Sequence, residues 1–258
     1  MQEHDPFASL RLLFSVRDAT FAYRSPEHKR QGSPSSVRLA VNVVVTANER
    51  GLVLFDPGPG NPSVWLDGLD EQTRRMDFSS SGDLFRAIGK HGGPDAVTAI
   101  VLTHHHPDHI GALFTRGDDH CKVFENATVY SPRPSEVVRY SRAYLGVPDA
   151  YSVIDTTSAE LPFERFVCDA HCEMHTCYRV VLRDGTCVMV WGDLLPTAMH
   201  LRPKYSGMIF SEPPPFYEPL LQRAARDKCL NLLSHDPRRR LVVLDGDGGA
   251  FTVERTVE

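Results

Sequence analysis

Apolar and polar positions alternate along much of this chain with a period of two, in short runs broken by Gly, Pro, Asn and Asp. That is the pattern of half-buried strands joined by tight turns. Residues 10–23 alternate loosely and predict an early strand pair. Val37-Arg38-Leu39-Ala40-Val41-Asn42-Val43-Val44-Val45 and Leu52-Val53-Leu54-Phe55 flank the turn Asn48-Glu49-Arg50-Gly51 and predict a hairpin. Helical spacing takes over at 83–91, where Leu84 and Ile88 share a face, Ser81 is placed to cap and Gly92-Gly93-Pro94 stops the element. A buried strand follows at 96–102, a short helix to Phe114, a strand at 126–130 and a helix at 134–145 ended by Gly146-Val147-Pro148. In the second half, Tyr178-Arg179-Val180-Val181-Leu182 and Cys187-Val188-Met189-Val190-Trp191 flank a hairpin turn; a helix spans 220–229, and strands follow at 230–234, 241–244 and 250–257. Residues 24–36 read as an exposed loop and 61–81 as a polar insertion without periodicity.

The densest chemistry sits where the strand at 96–102 ends. His104-His105-His106-Pro107-Asp108-His109 places four histidines and one carboxylate in six positions. In an extended segment His104 and His106 share a face and His105 points away. Pro107 suits the first position of a helix that would carry Asp108 and His109 back toward the same point. Imidazoles and a carboxylate converging at a strand end form a site for a first-row divalent metal, zinc by default. A chance surface cluster rarely follows a fully apolar strand, and a structural zinc site would favour thiolates.

His104-x-His106-x-Asp108-His109 resembles the HxHxDH signature of the metallo-β-lactamase-fold hydrolases, and the resemblance extends over roughly 37–258. It implies an α/β fold, the αββα sandwich of two mixed β-sheets flanked by helices, formed by 1–258 as a single domain with the 61–81 insertion near the active-site entrance. It also implies three further ligands downstream. The family's Gly-His-Thr-x-Gly-His run corresponds to Ala170-His171-Cys172-Glu173-Met174-His175, without either glycine, which makes His171 the ligand and His175 its companion; the reverse assignment stays open. Gly192-Asp193 supplies a bridging carboxylate and His235 the last ligand. By this correspondence His104, His106 and His171 hold one metal, Asp108, His109 and His235 the other, and Asp193 both. The cofactors implied are two divalent ions, Zn2+ first, with Mn2+, Fe2+ or Co2+ as alternatives. Asp56, in the turn Asp56-Pro57-Gly58, corresponds to a carboxylate that orients ligand groups from behind the metals.

Gly192-Asp193-Leu194-Leu195-Pro196-Thr197-Ala198-Met199-His200 is similar to the lactonase-like branch that includes the quorum-quenching N-acyl-homoserine lactonases. That likeness implies a hydroxide bridging the metals that opens a small lactone or cleaves an ester, with Asp108 as proton shuttle. A phosphotriester or phosphodiester hydrolase on the same site, and a silent binding protein retaining the fold, are the alternatives. The branch often carries a substrate-binding tyrosine three residues past the bridging Asp. Pro196 stands there instead, leaving His200 or Tyr205 as pocket candidates.

Charge and cysteine content narrow the partners. With 28 Lys+Arg against 33 Asp+Glu, the net charge of −5 disfavours nucleic acid, and Arg238-Arg239-Arg240 reads as a solvated turn. A small-molecule substrate is the expected partner. No apolar run approaches membrane-spanning length and the N-terminus lacks a signal pattern, so no membrane partner and a cytoplasmic location are expected. The irregular apolar stretch 205–217 offers a pocket wall or a homodimer contact. Six cysteines without a CxxC pair, in a chain this long, are expected to stay reduced.

Overall fold

The computed structural model describes residues 6–23, 37–61, 79–116, 118–201, 213–247 and 250–257. The loop 24–36 and nearly all of the 61–81 insertion lie outside them.

Residues 10–23 form one long strand, not the expected pair. β1 (Arg11–Tyr23) finds its partner beyond the following loop in β2 (Val37–Asn48), antiparallel, and β2 turns back into β3 (Gly51–Phe55). Next come β4 (Ser79–Ser80), α1 (Asp83–Gly89), β5 (Val97–Val101) and α2 (Pro107–Ile110). A small ribbon of β6 (Thr115–Arg116) and β7 (Asp119–His120) leads to β8 (Thr128–Ser131), α3 (Pro134–Leu145) and β9 (Ser152–Asp155). The second half contains β10 (Glu164–Cys168), β11 (His175–Val181), β12 (Cys187–Val190), α4 (Tyr217–Arg226), β13 (Leu230–Leu232), β14 (Leu241–Asp247) and β15 (Ala250–Val257). Strands β9 and β10 were not expected; each is short and only partly buried.

Two mixed sheets result, ordered β4-β1-β2-β3-β5-β8-β9 and β10-β11-β12-β13-β14-β15. Strand alternation explains how both faces of each are buried. Val44, Val53, Phe55, Ala99 and Val101 meet Tyr178, Val180, Val188, Val190 and Leu232 between the sheets. Their neighbours Val43, Val45, Leu54 and Ile100 face outward against Leu84 and Ile88 of α1 and Val137 of α3. On the far side, Met189, Trp191 and Val242 pack against Leu220, Leu221 and Ala224 of α4. This is the expected αββα sandwich.

The parallel pairs decide where chemistry can sit. β3 runs parallel to β5, and β12 parallel to β13, so each pair ends on one side and releases two loops together.

The start of α1 departs from expectation. Gly82, in the left-handed region at φ 63°, occupies the cap position without a side-chain bond. The Ser81 hydroxyl donates to the Asp18 carbonyl, and Asp18 Oδ1 accepts the Leu84 N–H at 3.0 Å. Asp18 is the extra residue at a register shift between Arg17 and Ala19, a bulge that turns its side chain inward. Its Oδ2 is buried without a partner. Burial raises its pKa from 3.8 to about 6, against the Leu84 hydrogen bond that lowers it. A carboxyl that binds its proton more tightly when folded stabilises the fold below pH ~4 and loses that contribution as pH rises through about 6, a difference of ~3 kcal/mol. Asp18→Asn is therefore expected to raise stability by ~1–2 kcal/mol above pH 7, with no gain at pH 4, as read by denaturant melts at both pH values.

The expectation of reduced thiols fails at one pair: Cys187 and Cys229 form a disulfide with Cα atoms 4.5 Å apart. The parallel register Val188↔Leu230 sets the two preceding residues side by side, a proximity their separation of 42 positions does not reveal. Cys121, Cys168, Cys172 and Cys177 are free thiols.

Candidate metal centre

Four strand ends build the site. After β5, His104 and His106 point to one side, while His105 turns back under α3. There it is buried with Nε2 unpartnered, and burial lowers its pKa to about 4 despite Glu136 nearby. His106 is extended at φ −64°, ψ 145°, and Pro107 opens α2, which swings Asp108 and His109 round to the same centre. The β10–β11 loop brings His171, and Thr176 N–H, donating to the Thr103 carbonyl at 2.9 Å, stitches that loop to the histidine run. Asp193 follows β12 and His235 follows β13.

The donors face one another closely. His171 Nε2 is 3.0 Å from His106 Nδ1 and 3.3 Å from Asp193 Oδ2. His104 Nε2 lies 3.9 Å from the same oxygen. Asp193 turns its other oxygen, Oδ1, to His109 Nε2 at 3.2 Å and His235 Nε2 at 3.0 Å. Asp108 Oδ2 stands 3.3 Å from His235 Nε2 and 3.7 Å from His109 Nε2. Among the described residues three metal-capable groups follow: His104, His106, His171 and Cys172; His104, His109 and Asp193; and Asp108, His109 and His235, with donor atoms of each group within 4.8 Å of one another. Asp193, one oxygen toward each half, lies between them.

Whether these residues suit cations is decided by their outer hydrogen bonds. His104 Nδ1 is 2.9 Å from Thr103 Oγ1, whose own proton goes to Asp56 Oδ2 at 2.7 Å. His109 Nδ1 faces Asp56 Oδ2 at 3.0 Å, and His235 Nδ1 faces the Ala40 carbonyl at 2.7 Å. Each of these Nδ1 atoms must carry the proton, which leaves each Nε2 lone pair aimed inward. His104 Nε2 and His109 Nε2 are buried without a hydrogen-bond partner. Lone pairs and two carboxylates this close repel unless positive charge lies between them, so the donor set fits divalent cations.

The carboxylates of the cluster favour positive charge there, as a proton on an imidazole or as a bound cation. Burial, with His109 and His106 adding to it, lowers the His104 pKa well below 6.5. Burial would lower His109 too, yet Asp193, Asp108 and Asp56 together hold it well above. For Asp193 burial raises the pKa, and His235, His109 and His171 outweigh it, keeping the carboxyl well below its usual range.

Asp56 sits behind this cluster at φ 47°, its Oδ1 accepting Thr103 N–H at 2.7 Å, so one carboxylate fixes Thr103, His104 and His109. His175 stands outside all three donor groups; its Nε2 accepts the backbone N–H of Asp193 at 3.1 Å, and burial keeps it neutral. His200 hydrogen-bonds Thr197 Oγ1 through Nδ1 at 2.9 Å, beside the cluster and not in it; burial lowers its pKa to about 4. Tyr205 lies outside the described residues. Pro196 lends its carbonyl to His235 N–H at 2.8 Å, so this position holds the last loop in place.

Three supporting residues escaped the sequence reading. Thr103 relays Asp56 to His104. Ser234 donates to Gly192 O at 2.9 Å and Asp193 Oδ1 at 3.1 Å. Asn42 holds the His235 loop by donating to Leu233 and Asp236 carbonyls at 2.7 and 2.9 Å. Only adjacency to a ligand-type residue hinted at the first two; nothing marked Asn42. Cys172, which the sequence analysis did not single out, stands in one of the donor groups as well.

Among solved structures, the dizinc quorum-quenching lactonase AidC superposes with a TM-score of 0.61 at 17% identity, covering 98% of this chain and 99% of that one. A probable metal-dependent hydrolase from Staphylococcus aureus gives 0.64 at 15% identity, with 98% and 99% covered. The hydrolase AbOPH, described as in the beta lactamase superfamily, gives 0.62 at 16%, with 97% and 95% covered. At such identities these likenesses speak for the fold. Comparison with curated proteins finds no match. The Metallo-beta-lactamase superfamily profile matches residues 37–232, and the chain belongs to that superfamily.

Proposed function

We propose that the protein is a dinuclear metal-dependent hydrolase that opens a small lactone or cleaves an ester. The observation that carries this reading is Asp193, which directs one carboxylate oxygen to His104 and His171 and the other to His109 and His235. His104, His106 and His171 would hold one ion, Asp108, His109 and His235 the other, and Asp193 both. Zn2+ leads as the identity, since nitrogen donors outnumber oxygens.

Bound divalent ions supply Lewis-acid polarisation of a carbonyl and an acidified water at neutral pH. The chain contributes the rest. Thr103, Asp56 and the Ala40 carbonyl hold His104, His109 and His235 in the tautomer with Nε2 bare. His104, His109, Asp193 and His235 are buried, whereas His106, Asp108 and His171 are half-exposed, so substrate enters from that side. Asp108, at this open edge, takes the proton of the attacking water on its carboxylate and returns it to the leaving oxygen. His200 and Tyr205 are the candidates for contact with the substrate carbonyl, because Pro196 has no donor to offer. Among the described residues no helix is long and apolar enough to cross a membrane. The Cys187–Cys229 disulfide weighs against a reducing compartment.

Metal analysis of the purified protein beside a lactone, ester and phosphotriester panel tests the proposal. Two metals per chain with chelator-sensitive lactone or ester turnover is the expected result. Turnover of the phosphotriester alone would move the substrate class, and no metal uptake with no turnover after zinc or manganese add-back would overturn the enzyme.

A pair of substitutions separates the two histidines of the β10–β11 loop. His171→Ala is expected to lose metal from one position outright. His175→Ala should retain both positions with affinity ~10–100-fold weaker, since it acts by holding the Asp193 backbone. Equilibrium metal titration reads both.

A further inference from the structure

Cys172 is half-buried and follows His171 directly; its Sγ and one nitrogen each of His104, His106 and His171 lie within 4.8 Å of one another. The other free thiols differ. Cys177 is fully buried and donates through Sγ to the Trp191 carbonyl at 3.3 Å, while Cys121 and Cys168 belong to none of the metal-capable groups among the described residues.

The loop that carries Cys172 is braced on both sides. Met174, at φ 60°, donates its N–H to Asp169 Oδ1 at 2.8 Å, and His175 N–H returns to the Cys172 carbonyl at 3.2 Å. Glu173 turns outward to an ion pair with Arg133 at 2.8 Å. His171 and Cys172 are thereby presented together to the donor set. Opposite them is His104 Nε2, at a fully buried residue, with no hydrogen-bond partner and its Nδ1 already committed to Thr103. Beside this many donors, a buried imidazole lone pair without a partner is satisfied by a cation in front of it, and Cys172 Sγ belongs to the same donor group.

We propose that Cys172 is a metal ligand, its thiolate joining His104, His106 and His171 so that this half of the centre is a soft, sulfur-containing position and the Asp108–His109–His235 half a hard one. The inference rests on the dinuclear reading above. On a tetrahedral ion, zinc–sulfur and zinc–nitrogen bonds of about 2.3 and 2.1 Å set the two donors about 3.6 Å apart, so the outermost donors of the group close by up to about 1 Å on binding. On binding, the Sγ–H bond breaks, its proton leaves to solvent, and the sulfur lone pair forms the bond to the metal; no oxidant or reductant takes part. A thiolate at one position favours zinc, cobalt or cadmium there, while the carboxylate-bearing position accepts harder ions such as manganese.

Titration of the whole metal-free protein with Co2+, under a non-chelating reductant, tests this. The expected result is a visible ligand-field spectrum at both positions plus an intense near-ultraviolet sulfur-to-cobalt charge-transfer band. Cys172→Ser should lose that band while still binding cobalt, Cys168→Ser should retain it, and Cd2+ affinity of Cys172→Ser should fall on the order of tenfold or more. Cobalt bound with ligand-field bands and no charge-transfer band in the unsubstituted protein would overturn the thiolate while leaving the dinuclear centre standing. Absence of cobalt binding would overturn both. A band that survives Cys172→Ser would also sink the assignment, and the measurement on the unsubstituted protein stands whether or not the variant folds.

Discussion

Asp193→Asn is expected to bind no more than one metal ion and to lose turnover on the order of 10^3-fold or more. The carboxylate has five polar neighbours and uses both oxygens: His109, His235 and the Ser234 hydroxyl on Oδ1, His104 and His171 on Oδ2. An amide keeps the shape but removes a negative charge from between two proposed cations and aims N–H protons at nitrogens that need bare lone pairs. The fold should persist, because Asp193 N–H still reaches His175 and the residue sits beyond the end of β12. Metal stoichiometry, hydrolysis of the preferred panel substrate and circular dichroism of the metal-free protein read the three parts. Two metals retained at unchanged affinity would refute the bridging role.

Gly192→Ala is expected to cost ~3–5 kcal/mol of stability. Gly192 lies at φ 53°, and a Cβ there would stand 2.6 Å from both His175 Nε2 and Thr103 Oγ1 and 2.9 Å from Thr103 Cβ. Backbone strain and overlap act together, and neither neighbour can withdraw freely. Thr103 is bonded to Asp56 and His104, and His175 to the backbone of Asp193. The glycine before Asp193 is thus the contact point of three strand ends. Urea denaturation reads the loss, and metal affinity should weaken with it, because the displaced groups are those that hold His104 and Asp193. A variant as stable as the parent would show that the loops yield more easily than this packing allows.

Much of this architecture was legible in the residues. The helix at 134–145 falls where its Pro start and Gly stop put it, and the hairpin 37–55 where its alternation and Asn48–Gly51 turn require. Both depend on neighbours a few positions away. Residues 10–23 were misjudged because alternation marks a strand without naming its partner, and the partner lies past a loop. Ser81 was misjudged because a capping residue in sequence competes with a better acceptor in space, Asp18. The disulfide was missed for a similar reason: parallel pairing of β12 with β13 brings Cys187 and Cys229 together across 42 positions.

For the site, the sequence by itself determined the donor types and their local geometry. A strand followed by His-x-His, a proline and a helical turn sends His104, His106, Asp108 and His109 to one point through backbone periodicity alone. Only the tertiary structure decided which distant residues join them. His171 rather than His175 stands among the donors, since the β10–β11 loop is pinned by Thr103 and Asp169, and His175, as the first residue of β11, turns under Asp193. It also decided that Cys172 borders the centre while Cys177 does not, for the loop presents two consecutive side chains where a strand would alternate them. Periodicity is a property of one segment; convergence depends on how two sheets twist and stack, and that is settled by the burial of residues that take no part in the chemistry.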